Sequence, residues 1–144
     1  MKKNFLISII LFASTQLFSA SHEGCNIQFK DSTICAEVNF TSPIGRKDDA
    51  TFKLTFYEGK NKIILKTKPN VYLWMIMKNG HEHGSEKLTQ KIEGSDYLFS
   101  NVWFMMLGQW QLHVKFKHKG KDLSGLLPIC VKKSSKNSYH GLCK

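Results

Sequence analysis

Hydrophobic and polar residues alternate with a period of two along most of this chain. The segment 50–56 places Phe52, Leu54 and Phe56 on one side, with threonines and a lysine on the other. The segment 109–116 repeats the pattern, with a tryptophan, a leucine, a valine and a phenylalanine on one side. Such alternation is typical of strands with one buried and one solvated face. Both segments are therefore predicted to be half-buried strands.

Turn signals separate several further short apolar segments. The other predicted strands cover residues 36–40, 63–65, 71–77, 87–92, 97–104 and 124–131, after a hairpin with arms at 26–29 and 33–34. No segment beyond the N-terminal stretch shows a sustained helical period. Seven or eight short strands predict an all-β fold, and at this length an immunoglobulin-like antiparallel β-sandwich is the default.

The N-terminal stretch does not alternate. Two lysines precede the apolar run Phe5–Ala13, which is long enough for a secretory signal but too short to span a bilayer. Cleavage is expected after Ala20 or after Ser21, and the second position is favoured because small residues occupy both critical sites. We therefore expect a cleaved signal peptide over 1–21, no transmembrane segment in the mature chain, and a periplasmic or secreted protein.

The charge balance is basic. The chain carries 21 lysines and arginines against 11 acids, and loss of the two leader lysines leaves 19 against 11, or +8. The mature length fits one domain, predicted over 22–131, followed by a polar tail over 132–144. The lysines are scattered and are predicted to lie on solvated faces, with attraction to an anionic surface as the alternative. Nucleic acid is not an expected partner for an exported chain of this composition.

Four cysteines remain after the expected leader. An even number in an exported domain indicates disulfides rather than metal thiolates. Cys25 and Cys35 flank the predicted N-terminal hairpin, where strand pairing brings residues close together. The pairing Cys25–Cys35 is therefore favoured, which leaves Cys130–Cys143 to hold the tail. The two crossed pairings, which would tie the chain ends together, remain open.

The segment 71–85 combines a predicted strand with four candidate metal ligands. Met75 and Met77 fall on one face of the strand, an Asn-Gly pair indicates a turn, and His81 and His83 follow with one residue between them. Thioether sulfur suits Cu(I), and imidazole suits copper or zinc. Each residue also has a structural interpretation, because methionine commonly fills gaps in cores and loop histidines are often only solvated.

Two further residues extend this candidate site. Met106 shares a face with Trp110 if the chain between them is extended, and it is a candidate either for core packing or for metal binding. His22 would be the new N-terminus after cleavage at the second position, where its amine and imidazole could chelate copper. A solvated terminal residue is the simpler interpretation of His22.

Two motifs resemble a known family when they are taken together. The Leu-Trp-Met of 73–75, followed by the His-Gly-Ser of 83–85, resembles the Leu-Trp-Met…Gly-His-Gly-Ser signature of small exported YtkA-like (FixH-like) domains. The Phe-Met-Met-Leu-Gly-Gln-Trp of 104–110 resembles the Phe-x-Met-x-Gly-x-Trp of that family. The resemblance covers residues 25–131, and it implies an immunoglobulin-like sandwich in the cell envelope with copper binding or copper delivery.

The resemblance also implies particular site residues. The positions that it carries over are Met75, His83 and Met106. The sequence departs from the family pattern in four places, one of which is an extra Lys-Asn-type insertion in the loop. Ile76 and Leu107 stand where prolines are common, and His81 is additional.

Motifs for catalysis are missing from the sequence. It contains no nucleophile elbow, phosphate loop, helical His-Glu-x-x-His or Cys-x-x-Cys, so we do not expect an enzyme. The first hypothesis is an exported copper carrier or sequestering protein that exchanges copper with a donating or receiving envelope protein. Its expected ligands are Met75, His81, His83 and Met106, with Met77 and His22 as secondary candidates. The alternative is a metal-free interaction module whose basic face binds an envelope protein or a polyanion.

Overall fold

The computed structural model describes residues 22–45 and 49–144, so the expected signal peptide lies outside the described residues. The fold is all-β, with two antiparallel sheets and a single turn of 3₁₀ helix at Ser135–Asn137 in the described part. The strands are β1 (Ile27–Gln28), β2 (Ile34–Phe40), β3 (Ala50–Glu58), β4 (Asn61–Ile63), β5 (Asn70–Ile76), β6 (Glu82–Gly84), β7 (Thr89–Glu93), β8 (Asp96–Val102), β9 (Gly108–His118), β10 (Lys121–Val131) and β11 (Tyr139–His140).

The two sheets have the strand order of an immunoglobulin-like sandwich. The first sheet runs β1-β2-β3-β8-β7, with β4 paired to β3, and the second runs β11-β10-β9-β5-β6. In this topology β2-β3-β8-β7 follow the A-B-E-D order of that fold, and β10-β9-β5-β6 follow its G-F-C-C′ order, with the short β6 as C′. The predicted fold class is confirmed. The count of seven or eight strands was too low, because β1, β4, β6 and β11 are pairings of two or three residues.

The core lies between the inner faces of the two sheets. The alternating apolar residues of β3 and β9 are fully buried, with Trp110, Leu112 and Val114 at 0 % exposure. Aromatic rings join the layers, since the Phe29 ring meets the Phe116 ring edge-on at 4.8 Å between centroids. The period-two pattern of the sequence therefore identifies the inward side of both strands.

One glycine lets the sheets approach closely. A Cβ added at Gly125 in β10 would lie 2.5 Å from Ile27 Cγ2 and 2.9 Å from Phe29 Cε1. Both of these side chains belong to the β1 region of the opposite sheet and are buried. No larger residue fits here unless the β1 segment moves.

Both favoured disulfides are present. Cys25 and Cys35 are joined with a Cα–Cα distance of 5.8 Å, and Cys130 and Cys143 with a distance of 5.0 Å. The first bond ties the start of the N-terminal hairpin to β2, although the direct ladder partner of Cys35 is Gln28. Among the described residues, no cysteine is free.

The predicted strand 97–104 was too long at its C-terminal end. β8 ends at Val102, and residues 103–107 form a loop before β9 begins at Gly108. This loop folds over the end of the core, because the buried Trp110 indole Nε1 donates to the Met106 carbonyl at 2.9 Å. Residues 103–107 therefore lie outside the strands of both sheets.

The tail 132–144 is more ordered than its polar composition suggests. Ile129 and Cys130 of β10 pair with His140 and Tyr139 of β11. Gln109 also holds this segment, since its Oε1 accepts from the Cys143 N–H at 2.7 Å. The tail therefore adds an edge strand to the second sheet instead of lying loose.

Candidate functional site

The β5–β6 hairpin carries four of the six candidate ligands. Its turn is closed by the Gly80 N–H donating to the Met77 carbonyl at 2.9 Å and by the Met77 N–H donating to the His81 carbonyl at 2.8 Å. Gly80 has φ +82°, which a glycine adopts without strain. The Asn79 Oδ1 accepts from the His81 N–H at 3.1 Å. This is a three-residue hairpin loop with a left-handed glycine at its last position.

The strand register brings Met75 and His83 together. These two residues are direct partners in the antiparallel ladder between β5 and β6. Directly opposed residues share one face of a sheet, and residues two positions apart share it as well. The next same-face pair is Met77 and His81, which the backbone hydrogen bond above connects. All four candidates therefore belong to the inward-facing side of the hairpin.

The same row continues across the second sheet. Met75 is opposite Trp110 in β9, and Trp110 is opposite Ile129 in β10. Met106 contacts one member of this row, because its carbonyl accepts the Trp110 indole N–H, and its half-buried side chain packs against the core. Met106 and Met75 therefore share Trp110 as a neighbour, and Met106 lies in the loop between β8 and β9.

Burial falls along the hairpin from the core to the turn. Met75 is 6 % exposed, His83 and Met77 are half-buried, and His81 is exposed. The end of the Met75 side chain lies on the β9 side of its strand, since its Cε is 2.9 Å from the ideal Cβ position of Gly108. The three rotatable bonds of a methionine side chain let its sulfur take more than one direction.

His22 lies apart from the other candidates. Its ring stacks on Tyr57 of β3 with centroids 3.8 Å apart, and its Nε2 is 4.0 Å from Glu37 Oε2. Tyr57 alternates with the inward residues of β3, so this contact is on the outer face of the first sheet. Burial and the Glu37 carboxylate raise the pKa of Tyr57. The structure therefore does not bring His22 to the hairpin of the second sheet.

The donor set of the hairpin is soft. In residues 22–45 and 49–144, no group of three histidines, cysteines or acids is close enough to hold a metal ion. The four cysteines are consumed by disulfides. Any metal at this hairpin would therefore need thioether ligands besides imidazole, and that combination fits Cu(I) better than zinc.

The outer face of β5 and β9 holds an aromatic cluster that sequence reasoning did not single out. Tyr72 and His113 are ladder partners whose rings stack at 4.9 Å between centroids, and Lys115 Nζ lies 5.3 Å from the Tyr72 centroid. Burial, followed by the Lys115 charge, lowers the pKa of His113. The alternation placed these residues outward, but only the β5–β9 register shows that they meet.

One end of the sandwich gathers lysines that are scattered in the sequence. Cavities of 490 and 380 Å³ share Lys117 as a lining residue there. The lysines that line the two cavities are Lys66, Lys68, Lys115, Lys117 and Lys119. Two acids offset part of this charge, since Lys119 Nζ is 2.9 Å from Glu58 Oε1 and Lys117 Nζ is 3.8 Å from Asp122 Oδ1. The two lysine-bearing segments are distant in sequence, so only the fold reveals the cluster.

Comparison with known proteins adds no relative to this description. No protein-family model, curated protein or solved structure matches the chain. Within the described ranges, no helix is long and apolar enough to cross a membrane. The function must therefore be argued from the geometry of the site.

Proposed function

We propose that this protein binds one Cu(I) ion at the β5–β6 hairpin and carries or sequesters it in the cell envelope. The observation that supports the proposal is the direct pairing of Met75 with His83. The pair Met77–His81 follows on the same face of the hairpin. The YtkA-like resemblance adds Met106, whose carbonyl accepts the Trp110 indole N–H and whose side chain packs against the core.

The chemistry of these ligands selects the oxidation state. Thioether sulfur is a soft, uncharged donor that prefers Cu(I), and neutral imidazole accepts the same ion. In the proposed site His83 and Met75 provide the first two donors. Met77 or Met106 completes the coordination, and His81 is the outermost candidate. A ligand set with so few charged groups holds Zn²⁺ and Ca²⁺ poorly.

The position of the hairpin suits exchange of the ion. β6 is a three-residue edge strand, so its outer edge is free of a neighbouring strand in the described sheet. The histidines are more exposed than Met75. A donor protein would therefore meet His81 and His83 first, and the buried thioether would hold the ion after transfer. Two disulfides and the expected signal peptide agree with an envelope location.

The test is an anaerobic Cu(I) competition titration of the mature protein with intact disulfides. We expect one equivalent to bind, and we expect the double variant His83→Ala/Met75→Leu to lose it. Leucine keeps the apolar volume of Met75, so the core remains filled. His140→Ala is the matched control, because His140 is exposed at the opposite edge of the same sheet. Retention of tight binding by the double variant would show that the ligand assignment is wrong.

A second candidate function follows from the lysine-rich end. The five lysines around the two cavities create a positive field that would attract a polyanion such as an acidic polysaccharide. We expect this binding to weaken steeply with ionic strength, since exposed charges are screened within about 8 Å at physiological salt. Salt-independent binding, or equal binding by Lys66→Gln/Lys68→Gln, would exclude this function for the lysine-rich end.

A further inference from the structure

A further cavity lies at the other end of the second sheet. Its volume is 690 Å³, and it is enclosed by the β5 end and its hairpin loop, the start of β9, the end of β10 and the tail. The apolar lining residues are Met75, Ile76, Met77, Leu107 and Val131. Pockets of this size and lining are typical of sites for small organic ligands.

The walls of this cavity are held in place. Cys143 lines it and is anchored by the disulfide to the buried Cys130. Gln109, another lining residue, accepts from the Cys143 N–H at 2.7 Å and donates to the Gly141 carbonyl at 3.2 Å. The tail wall is thus fixed by a covalent bond and two hydrogen bonds.

The floor stays open because Gly108 has no side chain. A Cβ at Gly108 would lie 2.9 Å from Met75 Cε, and its φ of +123° disfavours other residues. Any side chain at this position would push against Met75. The glycine therefore keeps the thioether end of Met75 accessible from the cavity.

Apolar side chains are exposed at the mouth. Ile76 is 51 % exposed and Leu107 is 41 % exposed, and both line the cavity. Leu142, which is next to the lining residue Cys143, is 70 % exposed. A group of exposed apolar residues around a concave surface is typical of a binding site. Covering them with hydrocarbon would remove this surface from water.

The charged residues at the cavity are all positive. They are Lys78, Lys132 and Lys133, and no carboxylate lines the cavity. None of these three lysines forms an ion pair with an acid of the described residues. Lys132 Nζ contacts the Lys144 carbonyl at 3.4 Å, whereas Lys78 and Lys133 are exposed. An apolar cavity with a cationic rim is complementary to an apolar chain that ends in an anion.

We propose that this cavity binds a free fatty-acid anion, with its hydrocarbon chain against Ile76, Leu107 and Met77 and its carboxylate beside Lys78 and Lys133. The carboxylate accepts charge-assisted hydrogen bonds from the lysine ammonium groups. The chain replaces water over the exposed apolar residues at the mouth. The lysines at the rim of this site are not proposed metal ligands, although the fatty-acid site and the metal site share Met75 and Met77.

The experiment is calorimetric titration of the mature, disulfide-bonded protein with octanoate, decanoate and laurate below their micelle concentrations. Each additional buried methylene should tighten binding about fourfold until the cavity is filled. A neutral alkyl glycoside with the same chain as laurate should bind more weakly. The variant Lys78→Gln/Lys133→Gln should reduce laurate affinity about 3–10-fold, because both charges are exposed and each contributes modestly.

Matched variants separate this proposal from the metal site. Lys60→Gln/Lys121→Gln removes two exposed lysines that do not line the cavity, and it should leave laurate binding unchanged. Leu107→Gln should weaken laurate binding about tenfold by making the mouth polar. Cu(I) titration of these variants should be unaffected, since none of them alters a proposed metal ligand. Absence of laurate binding, absence of chain-length dependence, or binding only to anionic phospholipid vesicles would overturn the proposal.

Discussion

The close approach of the two sheets at Gly125 leads to a sharp prediction for Gly125→Ala. The added Cβ would lie 2.5 Å from Ile27 Cγ2 and 2.9 Å from Phe29 Cε1, and both side chains are at most 3 % exposed. Overpacking of this kind costs about 1–3 kcal/mol. Alanine also lowers the conformational entropy of the unfolded chain, which stabilises the folded state by about 0.4–1 kcal/mol. The midpoints of these two ranges differ by about 1.3 kcal/mol, and we expect the free energy of unfolding to fall by about this amount.

Urea denaturation followed by tryptophan fluorescence measures this change. The midpoint should fall with an unchanged m-value, and the melting temperature should drop by roughly 3–8 °C. Ser124→Ala, an exposed neighbour in the same strand, is the control. In the double variant with Ile27→Ala, the loss should be smaller than the sum of the two single losses, because the clashing methyl is gone. A Gly125→Ala stability within about 0.5 kcal/mol of the control would refute the reasoning.

Three other predictions follow from particular contacts. Cys130→Ser/Cys143→Ser should lower the free energy of unfolding by about 2–4 kcal/mol and speed amide hydrogen exchange at Tyr139 and His140. Unchanged exchange at these two residues would show that β11 is held in place without the disulfide. Tyr97→Phe removes the acceptor of the buried Leu65 N–H, so it should cost about 1–3 kcal/mol in urea denaturation, against a negligible loss for Tyr139→Phe, whose hydroxyl hydrogen bond to the Leu142 carbonyl is solvent-exposed. The lowered pKa of His113 means that the unfolded state binds the proton more readily, so stability should fall as pH drops below the ordinary histidine value of 6.5. His113→Gln should lack this component of the pH dependence, and an identical pH profile for both proteins would contradict the assignment.

Much of the fold could be predicted because the sandwich depends on alternation. The inward residues of β3 and β9 are an unbroken period-two series, and two apolar inner faces can be buried only against each other. The Cys25–Cys35 bond also followed from a local hairpin. The edge strands could not be predicted in the same way. A two-residue pairing such as β11 contributes no period of its own and forms only because β10 and the disulfide hold it.

The candidate site was predictable only in part. The order of residues in 71–85 indicated a hairpin with two methionines and two histidines, but the pairing of Met75 with His83 depends on a three-residue loop. A loop longer by one residue would have put the histidines on the other face. Phe104, Met106 and Trp110 would share one face of an extended chain, although Met106 lies between the predicted strands 97–104 and 109–116. The indole hydrogen bond to the Met106 carbonyl, which ends that pattern, is a tertiary contact without a sequence signal.

The lysine-rich end and the apolar cavity were not predictable. Each is built from segments that are far apart in the sequence, and single lysines on alternating strands are compatible with any solvated face. The lysines at 66–68 and 115–119 meet only when β9 and the connection after β4 are brought to one end. Charge clustering of this kind is therefore a property of the topology.

The measurement that tests copper binding most directly is anaerobic Cu(I) titration followed by the methionine methyl resonances. The expected mature chain has four methionines, and Met105 is the internal reference because it is not a proposed ligand. We expect the Met75 methyl resonance, together with that of Met77 or Met106, to shift until one equivalent is bound, with parallel changes in the His83 ring and none in the His140 ring. Unchanged methionine methyl and His83 resonances at one equivalent of Cu(I) would contradict the account.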